Sequence, residues 1–221
     1  MIQHQGIWLP DGETHLVEWM TKNGEIVGGR GTYQIKKLRA ALSHCRKFRT
    51  AIDVGAHVGM WTMQLLHKFQ IVHAFEPVAA HRACWRMNLA GMSAGHDLYL
   101  HECALGDHEG YVRIDTAPTS SGDSKVVGDG DIPLRTLDSF IQPFDLHDVD
   151  FIKLDCEGYE YFALRGGEAT IRRDLPTIIV EQKPGRGQQF GLRELQAVEW
   201  LQSIGYKCVE QMSGDFVMVP E

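Results

Sequence analysis

The chain predicts an α/β domain with a largely parallel sheet, and three observations carry that prediction. Short β-branched runs alternate with helix-like segments through most of its length. One such run, Ala51 to Val54, leads straight into a glycine turn and a helix. Two closing strands, Tyr206 to Gln211 and Asp215 to Val219, flank Met212-Ser213-Gly214, a turn short enough for an antiparallel hairpin.

Length and composition agree with one domain. The 221 residues exceed the roughly 150 of a common domain without reaching two. Hydrophobic residues make up 43% and charged residues 23%, both ordinary for a soluble globular protein. That excludes a disordered chain, a collagen-like repeat and a small disulfide scaffold. No stretch approaches the ~20 apolar residues of a membrane span, so no membrane partner is expected. The opening MIQHQGIWLPDGETH has no basic n-region and no apolar h-region, so no secretory signal is expected. A net charge of -7 argues against duplex nucleic acid as the main partner. The five cysteines are odd in number, widely spaced and without C-x-x-C. They read as reduced thiols in a cytoplasmic protein rather than disulfides or a zinc site.

The elements follow in order. Residues 1–49 form an N-terminal extension, in which Ile35, Leu38, Leu42 and Cys45 recur at helical spacing. The core, residues 50–221, opens on the strand Ala51 to Val54 and a helix around Trp61 to Lys68. The strand Ile71 to Phe75 and the helix Ala79 to Leu89 come next, then the strand Asp97 to Cys103. A polar excursion over residues 106–130 holds the alternating run Tyr111-Val112-Arg113-Ile114 and the loop Thr119-Ser120-Ser121-Gly122, read as a β-hairpin with a mobile loop. The strand Phe151 to Leu154, one helix from Glu160 to Arg173 and the strand Thr177 to Val180 follow. The stretch Leu192 to Ser203 is helical, and the hairpin closes the domain.

The strongest motif is Ala51-Ile52-Asp53-Val54-Gly55-Ala56-His57-Val58-Gly59. Gly55 lets the backbone turn sharply and approach a ligand. Gly59 lets the next helix pack tightly on the sheet. A dinucleotide fingerprint counted from Gly55 needs glycine at 57 and 60, where the chain has His57 and Met60. No G-K-[ST] follows, which excludes a P-loop. An acid just before the glycine suits a cofactor with a positive group, such as S-adenosylmethionine (SAM). Glu76 ends the second strand, 21 residues after Gly55, where an acid takes both ribose hydroxyls of a nucleoside. Pro77 is placed to pack on the adenine. The structural alternative is that Asp53 and Gly55 form only a strand-helix turn and that Glu76 caps the helix after Pro77. Occurring together, the two features favour SAM.

Carboxylates recur at later strand ends. Ligands of open α/β sheets sit outside the carboxyl ends of the strands. Lys153-Leu154-Asp155-Cys156-Glu157-Gly158 and Ile179-Val180-Glu181 end there. Lys153, Asp155, Glu157 and Glu181 are the candidate catalytic set, with Asp155 or Glu157 as general base. Holding a hard divalent cation is a minority alternative, and no metal ligands are assigned. Fixing the loop, or pairing with Lys153, is the purely structural alternative.

Together the motifs resemble the FkbM-type SAM-dependent methyltransferases. The matching pieces are IDVGAHVG (52–59), AFEP (74–77), CALGD (103–107), LDSF (137–140), DFIKLDCEGYE (150–160) and IIVEQ (178–182). The resemblance implies a class I methyltransferase fold, Rossmann-like, with seven strands in the order 3-2-1-4-5-7-6 and the seventh antiparallel. It implies SAM as cofactor and O-methylation, often of sugar or polyketide hydroxyls. By position, Asp53, Gly55, Ala56 and Gly59 line the methionine part, Glu76 takes the ribose, and Cys103 and Ala104 flank the adenine. His57 departs from the family, which usually has Asn there. In this fold class the positions of Tyr33 and Gln34 can reach the methionine carboxylate.

Other signals are weaker. Arg30, Lys36, Lys37, Arg39, Arg46, Lys47 and Arg49 fall in an acid-free stretch. A solvated helix face explains them better than a nucleic-acid surface. His81 with Cys84, and His101 with Cys103, make no metal set. Trp61 reads as packing ahead of a cofactor cover, and Lys183 and Arg186 lie on the ligand side, where an acceptor or only solvent would meet them. The expected activity is methyl transfer from SAM to a hydroxyl of a small-molecule or glycan acceptor. Behind it stand a nucleic-acid methyltransferase and a non-catalytic SAM-binding module of the same fold.

Overall fold

The structure, a computed structural model, describes residues 1–92, 95–117, 119–140 and 146–221. The N-terminal extension holds far more than one helix. Strands β1 (Ile2–His4) and β2 (Ile7–Leu9) pair antiparallel. Their turn places Gln5 and Gly6 at φ 47° and 74°, the paired positive angles whose twist suits a two-residue hairpin. Helix α1 (His15–Asn23) follows, then a second small hairpin of β3 (Ile26–Val27) and β4 (Arg30–Gly31). Helix α2 (Ile35–Ser43) is the predicted amphipathic segment, with Ile35, Leu38 and Ala41 buried. The extension is part of the core, because Ile7, Leu9, Leu16 and Met20 share one apolar cluster with Ala51, Val58 and Phe69.

Chain order then runs β5 (Thr50–Val54), α3 (Met60–Leu66), β6 (Ile71–Phe75), α4 (Ala79–Leu89) and β7 (Asp97–His101). The excursion holds β8 (Ala104–Leu105), β9 (Gly110–Asp115) and β10 (Lys125–Arg135). The second half is β11 (Val149–Leu154), α5 (Glu160–Arg165), α6 (Glu168–Asp174), β12 (Thr177–Glu181), α7 (Gln196–Ser203), β13 (Tyr206–Met212) and β14 (Asp215–Pro220).

The main sheet has seven strands in the order β13-β14-β12-β11-β5-β6-β7. Strands β7, β6, β5, β11 and β12 are mutually parallel, and β14 runs antiparallel to both neighbours. Numbered along the domain, this is the order 3-2-1-4-5-7-6 that the resemblance implied. Both faces are covered, as expected of a parallel sheet. Ala51 and Phe151 point into one apolar cluster, and Ile52 and Ile152 into the other. Among the described residues no helix is long and apolar enough to cross a membrane. All five cysteines are free.

Several expectations need correction. The single helix Glu160 to Arg173 is broken between α5 and α6 at Gly166-Gly167. A Cβ on Gly166 would collide with the Gly106 carbonyl, so the break lets the excursion's backbone pass close by. The helix read from Leu192 begins only at Gln196. The strand read to Cys103 ends at His101, and Ala104–Leu105 pairs parallel with β10 in a separate sheet, β8-β10-β9. The hairpin of the excursion is present, with its second strand running on to Arg135. The loop read as mobile is docked. The N–H groups of Thr14 and His15 donate to the Thr119 carbonyl at 3.2 and 3.1 Å, and Ser121 is buried.

Candidate functional site

The carboxyl ends of β5, β6 and β11 open onto one cleft with about 1160 Å³ of open space, its mouth included. Its base is fixed by a pair of opposite charges. Asp53 and Lys153 are direct cross-strand neighbours. Asp53, fully buried, accepts from the Thr62 hydroxyl at 2.6 Å and lies 3.2 Å from the Lys153 ammonium. Lys153 also donates to the carbonyls of Val54 and Gly55. The pair holds the glycine turn in place, and Asp53 does not line the cleft.

Gly55 (φ 72°) turns the chain as expected, but its close neighbour is protein. A Cβ there would run into the Asp155 carbonyl, so the glycine lets β11's exit loop pass against the turn. Gly59 (φ 89°) packs against α4 instead of the sheet: a Cβ would lie 2.5 Å from Leu89 and 2.8 Å from Trp85. Gly55, Ala56, His57, Glu76, Pro77, Cys103 and Ala104 all line the cleft.

Glu76 lines the cleft and also takes up the structural role foreseen for it. Its carboxylate accepts the His57 N–H at 2.7 Å and the Val78 N–H at 2.8 Å, and lies 3.2 Å from His81 Nδ1. It therefore caps the start of α4 and braces the glycine turn while facing the cleft. Phe75, Pro77, Val78 and Leu105 give that end an apolar wall. Trp61 also lines the cleft, and its indole N–H is buried without a hydrogen-bond partner among the described residues.

At the other end stand Asp155, Glu157 and Glu181, each with one oxygen within 4.8 Å of the others. Asp155 and Glu157 line the cleft, whereas Glu181 lies behind them, 2% exposed. Burial, then the nearby Asp155 charge, pushes the Glu157 carboxyl up to about 7 and the Glu181 carboxyl up to about 9. Lys183 pairs with Glu181 at 2.7 Å and Arg186 with Glu157 at 3.1 Å. The donor set has the oxygen chemistry of a hard cation site. Two of its three carboxylates already hold basic side chains, so a divalent ion does not fit unless both are displaced. Glu157 itself adopts φ 55°, beside Gly158 at φ 101°. Glu160 braces this turn, accepting the N–H groups of Cys156 and Gly158 at 2.9 and 3.0 Å.

The extension supplies the remaining walls. Tyr33 lines the cleft, edge-on to Trp19 at 4.6 Å, and burial followed by the Asp155 charge raises its phenol. Gln34 sits at the start of α2 with φ 53° and does not reach the cleft. Sequence reasoning missed His15 and Leu16 of α1; the excursion loop, which it singled out as a binding loop, supplies Ser120–Ser124, and together they line the cleft. It also missed Glu13, whose carboxylate accepts the Leu16 N–H at 2.8 Å and the Ser121 N–H at 2.7 Å. No local motif marks the contact with Ser121, since 108 residues separate the partners. The basic stretch is largely spent internally: Arg39 pairs with Glu25, Lys37 with Asp215, and Arg49 with Asp148 and Asp150, while Arg30 donates to the Asn88 carbonyl.

Comparisons with known proteins bear on the fold and the family. No curated protein matches the chain in sequence. A solved structure of an FkbM methyltransferase from Methylobacillus flagellatus is 20% identical, with a TM-score of 0.52. That match covers 79% of this chain and 44% of the other, so the chain spans less than half of that relative. A Streptococcus mutans protein solved in complex with SAH is 13% identical (TM-score 0.52), covering 86% of this chain and 98% of that one. An rRNA methylase from Streptococcus thermophilus is 12% identical (TM-score 0.51), covering 86% and 97%. At such identities these likenesses speak for the fold. The model of the methyltransferase FkbM domain matches residues 53–208, well over half of the sequence. The motifs, the strand order and that match agree: the chain belongs to the FkbM methyltransferase family.

Proposed function

We propose that the protein transfers a methyl group from SAM to a hydroxyl of a small-molecule or glycan acceptor, in the cytoplasm. One observation carries the reading. A single cleft holds Glu76 beside an apolar wall at one end and Asp155 with Glu157 at the other. The cofactor end fits SAM. Its acid and neutral groups suit ribose hydroxyls and an ammonium, the apolar wall suits adenine, and its nearest cation, Lys153, is already tied to Asp53. When bound, SAM supplies an electrophilic methyl group.

The chain's own residues do the rest. Glu76 accepts the ribose hydroxyls, and Phe75, Pro77, Cys103 and Ala104 hold the base. Asp155 and Glu157 orient the acceptor hydroxyl, and one of the two takes its proton as the oxygen attacks in line. Holding two reactants in near-attack geometry supplies about 7–11 kcal/mol. The positively charged Lys183 and Arg186 keep the carboxylates in position. The free cysteines support a reducing compartment. With four of the seven basic residues at 30–49 already engaged, an acidic macromolecular acceptor gains no support.

The direct test is calorimetry with SAM and S-adenosylhomocysteine, followed by Glu76→Ala. Wild type should bind, and the variant should lose at least tenfold in affinity; absence of binding to wild type ends the reading. Cell extract incubated with enzyme and isotopically labelled SAM, read by mass spectrometry, identifies the acceptor. A label found only in nucleic acid would replace the hydroxyl reading of small molecules.

A further inference from the structure

We propose that Glu13, Ser121 and His57 form a hydrogen-bond relay that fixes His57 as its Nε2–H tautomer. The ring then presents its Nδ1 lone pair to the cleft, as acceptor for a hydroxyl or ammonium of the bound cofactor. Glu13 and Ser121 are positioning residues, and His57 is the group that meets the ligand. The identity of that ligand rests on the SAM reading; the relay does not.

The direction of each proton follows from the contacts. Glu13 is 2% exposed. One of its oxygens accepts the Leu16 N–H and the other the Ser121 N–H. The Ser121 hydroxyl also contacts that second oxygen. Two oxygens in such contact need one proton between them, and the serine supplies it to a carboxylate that is already an acceptor twice over. The serine oxygen then has only lone pairs left to offer. It lies 2.7 Å from His57 Nε2, so that contact is a hydrogen bond only when Nε2 carries the proton. A neutral imidazole has one N–H, which leaves Nδ1 as the acceptor. Burial, with the neighbouring His81 and Lys153, lowers the His57 pKa well below the ordinary value and keeps the ring neutral.

The ring is held at both ends. His57 sits at φ 52°, a left-handed angle uncommon outside glycine. Its N–H is locked onto Glu76 at 2.7 Å and its side chain onto Ser121. His81 packs edge-on at 4.4 Å. No described protein group bonds Nδ1, and the residue lines the cleft. The relay settles which nitrogen of His57 is the acceptor. An acceptor here favours a cofactor that brings a donor and disfavours one that brings a phosphate oxygen.

The experiment uses the full chain with ¹⁵N-labelled histidine. A long-range ¹H–¹⁵N spectrum without ligand should show His57, assigned by loss of its signal in His57→Asn, as the Nε2–H tautomer. Ser121→Ala should mix the tautomers and weaken S-adenosylhomocysteine binding about tenfold by calorimetry, with Tm within a few degrees of wild type. Ser121→Thr, which keeps the hydroxyl, should restore both readouts. An Nδ1–H tautomer in wild type overturns the relay, as does Ser121→Ala with unchanged tautomer and affinity. If wild type binds no S-adenosylhomocysteine, the SAM reading fails while the tautomer still decides the relay.

Discussion

At the scale of single residues, Glu157 is the group whose protonation state matters most near neutrality. Its carboxyl is raised to about 7 by burial and by Asp155, close to the value that makes a general base most effective. A base acts in its ionised form, so kcat should rise with pH through about 7. Glu157→Gln should abolish that limb. Asp155→Asn should lower kcat by about 10²–10⁴ while S-adenosylhomocysteine affinity stays within a few-fold. Equal losses in both would move Asp155 from chemistry to binding. These residues were legible because strand-end acids follow from the pattern of the strands. Asp53 and Lys153 were legible as conspicuous but not in role: cross-strand register turns them toward each other, and register is not visible in one strand. The loop of Ser121 was legible, but its contact with Glu13 was invisible, since only the tertiary fold brings the two together.

At the scale of elements, the docking of the N-terminal hairpin rests on Asn88 of α4. This buried amide accepts the Trp8 N–H at 2.7 Å and donates to the carbonyls of Trp8 at 2.9 Å and Val58 at 2.8 Å. Asn88→Ala leaves the buried Val58 carbonyl and the part-buried Trp8 N–H and carbonyl short of a partner. At about 1–3 kcal/mol for a buried unsatisfied group, the Val58 carbonyl alone should cost at least about 1 kcal/mol. Chemical denaturation measures that loss, and hydrogen exchange should show β1 and β2 deprotected first. The seven sheet strands were read from sequence to within a few residues, because β-branched runs between glycine turns are a strong local signal. The two N-terminal hairpins were not, since strands of two or three residues carry no periodicity. The Gln5-Gly6 and Gly28-Gly29 pairs, each at two positive φ values, were their only trace. The break at Gly166-Gly167 was hidden for a different reason: its cause, the backbone of Gly106, lies far away in the chain.

For the whole molecule, two buried groups set opposite pH limbs of stability. The stacked rings of His73 and His101 have nitrogens 2.9 Å apart, and burial lowers their pKa values to about 4 and about 3. The folded state keeps them neutral. Their contribution is therefore complete above the unfolded value of 6.5 and is lost as pH falls through the folded values. Glu157 and Glu181 act the other way. With folded values raised to about 7 and about 9, their contribution is complete below the ordinary 4.5 and is lost as pH rises through them. Tm should peak between these limits, at about 4.5–6.5. Glu181→Gln should flatten the alkaline limb alone; a scan in which its slope stays at the wild-type value would remove Glu181 from that role.

The contact of Glu13 with Ser121 has a consequence for inheritance. Glu13 lies outside the span that the family model matches, and Ser121 lies inside it. A change at Glu13 strands the buried Ser121 N–H, and a change at Ser121 removes the hydroxyl that orients His57, so the two are expected to vary together. Chains that keep an acid at the first position should keep a hydroxyl at the second and an imidazole after the glycine turn. Chains that have lost one should have lost all three. A recombinant that borrows its first 34 residues from a cousin therefore has to borrow the loop around Ser121 as well.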